Sequence, residues 1–335
     1  MAVDSTEFIA TLRNAVSQGQ EVDRVAAAAL ARGVENVYIA GCGGTQAIMY
    51  PGKYLMDVHS RLPCSAINAG ELVQLAPRAL GPRSLVILSS YTGTTRETVA
   101  AARLARERGS MVVSFVCKKD TPLAAASDTV FLNTSNKGSS EANLLRTYQI
   151  LLGIIARTDG FARADEIAHC LPALGARLAE IRSEADAKAV EFARAYKDAT
   201  LFYVIAGGAC WGQALVYCQC ILEEMQWIVA QPIPAGEYFH APFEVIDAAS
   251  NLLVFKGEDL SRPLVDRVLD FSANYTKRIT TIDTREYALP GVAEDLRGYF
   301  SPFVLLAVLE RFSQNLAVSR NHPLTTRRYM GIVQY

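Results

Sequence analysis

Short apolar runs alternate along the first half of the chain with longer stretches whose apolar positions recur at helical spacing. The runs at Asn36–Ala40, Cys64–Ile67, Leu85–Ser89, Val112–Phe115 and Thr129–Leu132 read as buried strands. Glu97–Arg108 and Asn143–Ala156 read as helices between or after them, and the alanine-rich segment up to about Arg32 as a helical lead-in. Asn36–Ala40 runs into a glycine turn, with a helix expected to start near Thr45. Strands that alternate with helices imply a parallel sheet covered on both faces.

Near Leu201 the pattern begins again. TLFYVIAGGACWGQALVYCQCILEE repeats the strand, glycine turn and long helix of NVYIAGCGGTQAIMYPGKYLMD, about 165 residues later. A strand at Asn251–Lys256, a helix at Pro263–Ser272, a strand at Lys277–Asp283 and an apolar helix at Pro302–Leu316 follow. The expected fold class is α/β, with two duplicated domains, each a parallel sheet flanked by helices in a flavodoxin-like three-layer sandwich. Residues 1–165 hold the lead-in and first domain; 166–335 hold the second domain and a C-terminal tail, with a helical connector over 165–197.

Composition narrows the classes. Half of the 335 residues are hydrophobic and 20% are charged, which excludes disorder for the bulk of the chain. A formal net charge of −1 argues against bulk nucleic-acid binding, although one local site for a small anion needs only local potential. The seven cysteines include no CxxC pair, which suits reduced thiols; Cys218 and Cys220 read as buried thiols rather than metal ligands. The N-terminus MAVDSTEFIATLRNAV lacks the features of a secretory signal. Leu201–Leu222 carries no charge, but Gly207, Gly208 and Gly212 cut it, so a strand, turn and buried helix account for it better than a membrane span. A soluble, cytoplasmic protein is expected.

Four segments carry chemistry. In LVILSSYTGTTRET a buried strand feeds a hydroxyl-rich loop and a helix. Thr94 and Glu97 have capping-box spacing, which would aim the first-turn amides at the loop as an anion site. Ser90, Thr92 and Thr95 add donors, Gly93 allows close backbone approach, and the GK[ST] lysine of an ATP-type loop is missing. Donors without a fixed cation suit a sugar phosphate; the alternative is an ordinary capped loop. The loop Gly41-Cys42-Gly43-Gly44-Thr45-Gln46 matches a dinucleotide fingerprint only at its start, since Gln46 replaces the third glycine and the next strand ends at Asn68 without an acid. It reads instead as a turn lining the same crevice.

The third segment is a helix expected over Gln213–Val229. Tyr217, Cys220, Ile221, Glu224 and Ile228 share one stripe at helical spacing, and Gln219, Glu223 and Gln226 another. Glu224 on an apolar face would hold its proton to higher pH, as a proton shuttle requires, unless it pairs with an arginine between helices. The fourth is Pro234–Glu244, where His240 stands among aromatics in a loop bounded by Pro234 and Pro242.

Together these segments resemble the sugar isomerase (SIS) domain family in its duplicated form. Ser90–Thr95 is similar to the family's S-x-S-G-x-T phosphate loop. Leu222–Ile228, followed by Gly236–His240, resembles the K-x-K-E-I and G-E-x-x-H-G segments of glucosamine-6-phosphate synthase. Ile221 stands where that synthase has a lysine, and its amino-terminal cysteine nucleophile has no counterpart at the start of this chain, so ammonia transfer by that route is not implied. A closer resemblance is to the fructosamine-6-phosphate deglycases, through Leu222–Ile228, Glu237–Asp247, Phe255–Pro263 and Asn321–Met330. Ala241 departs from the glycine that usually follows the histidine.

The resemblance implies cleavage of a phosphorylated Amadori product to glucose 6-phosphate and a free amine, with no redox cofactor and no metal. It assigns Glu224 as the proton-shuttling base and His240 as general acid/base. Ser90, Thr92 and Thr95 with the backbone of Gly43 and Gly44 would hold the phosphate. Ser139, Ser140, Arg327 and Arg328 are further positions that could line the substrate, the two arginines by closing over the site; for these two, the alternative is solvated tail charge. A homodimer or larger homo-oligomer with shared sites is implied, without nucleic acid or membrane as partner. A ketose/aldose phosphosugar isomerase or aminosugar-phosphate deaminase would use the same two residues. A non-catalytic sugar-phosphate sensor is the third alternative, but only about 30 residues precede the first strand, too few for a DNA-binding domain, and the chain is not basic.

Overall fold

The computed structural model describes residues 5–334. They fall into two compact units, one ending at Ala176 and the other beginning at Arg177. The connector is helical from Ala164 to Glu184 and again from Asp186 to Tyr196.

The first unit is built on five parallel strands: β1 (Asn36–Gly41), β2 (Cys64–Asn68), β3 (Ser84–Ser89), β4 (Met111–Val116) and β5 (Thr129–Leu132), in the spatial order β2-β1-β3-β4-β5. Every residue of β3 and β4 is buried, which is why their sequences read as unbroken apolar runs rather than alternating ones. Val86, Leu88, Val112 and Val116 pack with Val99, Ala101, Ala102 and Ala105 of the helix Arg96–Glu107. Alanines on that helix let it approach the sheet closely.

In this order the chain leaves β1 toward one edge of the sheet and β3 toward the other. A crevice therefore opens where their carboxyl ends diverge, the position at which doubly wound sheets bind ligands. Both loops singled out in the sequence, at Gly41–Gln46 and Ser90–Thr95, leave the sheet there.

The second unit repeats the plan with four parallel strands: β6 (Leu201–Ala206), β7 (Val229–Pro234), β8 (Leu252–Lys256) and β9 (Ile279–Asp283), ordered β7-β6-β8-β9. Residues 201–222 form a strand, a glycine turn and a helix, and among the described residues no helix is long and apolar enough to cross a membrane. The expected helix over Gln213–Val229 is corrected: an α-helical turn at Trp211–Val216 widens into a π-helix at Tyr217–Met225, and Val229 already belongs to β7. Pro232 and Pro234 disguise β7 as a loop, yet both are tolerable in a strand that bonds on one side only.

Candidate functional site

In the first unit the hydroxyl loop is held from behind. Ser90 N–H donates to Phe115 O at 3.2 Å, Cys117 N–H to Tyr91 O at 3.2 Å, and Leu123 N–H to Gly93 O at 3.1 Å. Gly93 has φ +68, and a Cβ there would lie 2.6 Å from Thr121 Cβ, so both backbone and space demand glycine. Ser90 is buried; its Oγ accepts from Gly93 N–H at 3.1 Å and shares a hydrogen with Thr95 Oγ1 at 2.9 Å. Thr92 is exposed, and its Oγ1 accepts from Thr94 N–H and Thr94 Oγ1.

The capping box expected from Thr94 and Glu97 does not form. Thr95 is the N-cap, and no side chain caps the first turn, because the Thr95 hydroxyl is engaged by Ser90 and the Thr94 hydroxyl by Thr92. The consequence favours an anion site: no side-chain oxygen of the cap occupies the first-turn amides of Arg96–Glu107.

Gly43, with φ +55, caps the short helix Gly44–Ala47, so its loop also turns a helix start toward the crevice. Cys42 Sγ lies 3.8 Å from Thr98 Oγ1, tying this loop to the helix that follows the hydroxyl loop. Asn68, where a dinucleotide site would need an acid, caps the helix Ala69–Leu75 by accepting from Gly70 and Glu71 N–H.

Ser139 and Ser140 begin the helix Ser139–Thr158, the latter exposed. One turn on, Asn143 Nδ2 donates to Ser89 Oγ at 3.0 Å and Asn143 Oδ1 accepts from Asn133 at 2.9 Å. Behind them Arg146 is fully buried; it donates to Asn133, to Leu132 O at 2.9 Å and to Gln18 Oε1 at 2.8 Å. Burial pulls its guanidinium down to about 10, with Cys117 opposing. This polar layer under the loop was not anticipated, although Asn143 and Arg146 at helical spacing inside an apolar helix were a signal for it.

The second unit carries the carboxylate and the imidazole. Glu224 sits in the last turn of the π-helix, and its Oε1 is 2.8 Å from Arg327 Nη2. The apolar setting expected for it is therefore corrected: a guanidinium faces the carboxylate. The stripe drawn at a 3.6-residue period fails for the same local reason. The π-helix ends at Met225, which puts Ile228 beyond it, and Gln226 is fully buried, donating to His322 O at 2.8 Å. π-Helical turns are rare and recur at functional sites. Arg328 stacks over Trp227, 4.3 Å from the ring centroid.

His240 is exposed, and its imidazole makes no hydrogen bond among the described residues. Its loop is nonetheless fixed: His240 N–H donates to Glu237 O at 2.9 Å, and Tyr238 is buried with its hydroxyl 2.7 Å from Ser272 Oγ. Phe239, Phe243 and Phe271 pack around that anchor, with Arg267 over the Phe239 ring at 4.1 Å.

The second copy's own switch point is filled from within. Asp259, on the loop after β8, accepts from Ser261 N–H at 2.7 Å and from Ala209 N–H at 3.2 Å, one amide from each side of the crevice. Gly208 admits it: a Cβ there would lie 2.6 Å from Ser261 Oγ and closer still to Asp259. Burial pushes the Asp259 carboxyl above the usual carboxylate range, against the pull of those hydrogen bonds. Among the described residues no cluster of histidine, cysteine, aspartate and glutamate could hold a metal ion.

Residues 32–152 match the SIS domain family. The fructosamine deglycase of Bacillus subtilis is 38% identical over 309 residues, covering 90% of this chain and 93% of the relative. The fructoselysine 6-phosphate deglycase of Escherichia coli is 26% identical over 307 residues, covering 91% and 88%. Among solved structures, a Bacillus subtilis protein assigned to the phosphosugar isomerases superposes with a TM-score of 0.86 at 35% identity, covering 95% of this chain and all of its own. The shared parallel-sheet plan and an identity sustained along nearly the full length of both chains place this protein in the SIS domain family, alongside the fructosamine deglycases.

Proposed function

We propose that the protein is a deglycase that cleaves a fructosamine 6-phosphate to glucose 6-phosphate and the free amine. The observation that carries this reading is a division of labour. The first unit offers an anion crevice of hydroxyls and uncapped amides with no lysine or arginine in its loop, and the second offers a carboxylate held by an arginine and an imidazole left free. The likeness to named deglycases over nine-tenths of the chain supports the substrate class.

In this reading Thr92, Thr95 and the amides after Gly43, Gly44 and Thr95 bind the phosphate, with Ser90 shaping the loop from inside. Ser139 and Ser140 start a helix moored, through Asn143 and Ser89, to the end of the strand that feeds the same loop. Binding the far end of the substrate presents C1 and C2 for reaction without consuming chemistry there. Glu224 takes a proton from C1 of the open-chain ketosamine while His240 protonates the C2 oxygen, giving an enaminol. Return of the proton from Glu224 to C2, with loss of the nitrogen proton, gives a C1 imine, and water cleaves it into aldehyde and amine. His240 is the group suited to exchange protons with the oxygen and the departing nitrogen. The chain acts as a homodimer or larger homo-oligomer with shared sites, a state that sedimentation of the purified protein measures.

The test is a panel of 6-phosphofructosamines with glucose 6-phosphate coupled to a dehydrogenase. Release from at least one member is expected, and Glu224→Gln and His240→Ala should each lower kcat by roughly 10²- to 10⁴-fold while leaving sorbitol 6-phosphate affinity intact. Turnover of fructose 6-phosphate with no glucose 6-phosphate from any member would make the enzyme an isomerase instead.

A further inference from the structure

Glu224, Gln226 and Trp227, at the end of the π-helix, each hold a residue of the C-terminal tail. Gln226 bonds His322 O at 2.8 Å, Trp227 packs edge-on against the His322 ring at 4.7 Å and beneath Arg328, and Glu224 pairs with Arg327. Two strained residues bracket the junction, Trp227 with φ +56 and Asn321 with φ +49. Such backbone persists only where surrounding structure over-determines it.

The Arg327 side chain is not a loose tail charge. Its Nη1 donates to Leu324 O at 2.8 Å and Thr326 O at 2.9 Å, so the turn 324–327 locks the guanidinium before it reaches Glu224. Nη2 then engages Oε1 at 2.8 Å, and Glu224 Oε2 has no partner among the described residues. The carboxylate is thus clamped by one oxygen and open at the other.

We infer that Arg327 is a positioning residue for the proton carrier, acting through Glu224 and not by lining the substrate. The inference rests on the proton-shuttle role of Glu224 proposed above. The locked guanidinium fixes the rotamer of the carboxylate and leaves Oε2 to take the C1 proton and return it to C2. No proton is gained or lost over the cycle, and Arg327 keeps all of its own. The tail would therefore be part of the reaction centre through a single contact, with Trp227 and Gln226 keeping it in place.

The experiment compares Arg327→Ala, Arg327→Lys and the pair Arg327→Ala with Glu224→Gln in the full-length enzyme, on a 6-phosphofructosamine that the unmodified enzyme cleaves. Arg327→Ala should lower kcat about 10- to 100-fold with KM and sorbitol 6-phosphate affinity changed less than about twofold. Arg327→Lys should recover most of that loss, since a lysine can still present one cation to one oxygen. In the Glu224→Gln background, Arg327→Ala should cost nothing further, because the effect passes through the carboxylate. A rise in KM with kcat preserved, a further loss in that background, or an unchanged rate would each overturn the assignment. If the unmodified enzyme cleaves no panel member, the deglycase reading falls and takes this inference with it. Cleavage undiminished in Arg327→Ala would sink this inference alone.

Discussion

Ala241 follows His240 directly and turns the chain with φ +88, a backbone conformation that a Cβ resists. It also closes the loop, since Glu244 N–H donates to Ala241 O at 3.0 Å. The imidazole is thus held next to a strained residue. Ala241→Gly should raise stability by about 1 kcal/mol by releasing that strain, and Ala241→Val should lower it by more. Denaturant midpoints of the three proteins decide this; a glycine variant no more stable than the parent would place the strain elsewhere.

Gly93 and Gly43 give a matched pair. Both have positive φ, but a Cβ on Gly93 runs into Thr121, whereas one on Gly43 meets nothing within 4 Å. On the proposed function, Gly93→Ala should therefore displace the loop and weaken glucose 6-phosphate binding about tenfold or more, a loss above about 1.4 kcal/mol. Gly43→Ala should bear the backbone strain alone and lose less. Calorimetric titration of each variant measures the difference.

How far these features could be read from sequence differs by kind. The strands of the first unit begin and end within a residue or so of their apolar runs, because fully buried parallel strands leave no alternation to misread. β7 escaped because Pro232 and Pro234 imitate a turn. The π-helix escaped because its residues are helix formers whose spacing alone cannot report an extra residue per turn. The Glu224–Arg327 pair joins positions far apart in the chain, and only the folded tail brings them together. Local chemistry was legible, then, whereas partners chosen by tertiary structure were not.

Asp283 gives the acid limb of stability. Burial pushes its carboxyl up, but hydrogen bonds from Arg262 at 2.9 and 2.6 Å, the Arg285 amide and the nearby Lys256 charge outweigh this and hold it below the usual range. A depressed carboxyl contributes stability that is present above its unfolded value, about 3.9, and is lost as pH falls through the folded one. Asp283→Asn should be less stable than the parent at pH 7, and the gap should narrow below about pH 4. Urea unfolding at both pH values tests it; a constant gap would show that the contribution is not ionic.

Asp259 should behave differently when removed. Asp259→Ala leaves the Ala209 and Ser261 amides without their acceptor, at a cost of about 2–4 kcal/mol in the second unit. Thermal unfolding followed by circular dichroism would register the loss, and an unchanged midpoint would mean that water satisfies both amides.

That aspartate also sets the two halves of the duplication apart. A carboxylate tethered to the backbone is present at a local concentration that no dissolved metabolite approaches, and it cannot diffuse away. The second crevice is thereby permanently neutralised, indifferent to how much phosphate the surroundings contain. On the proposed function, one ancestral pocket remained a revolving door while its twin was bricked shut with a single side chain, and free anions added to the enzyme should compete for the first alone.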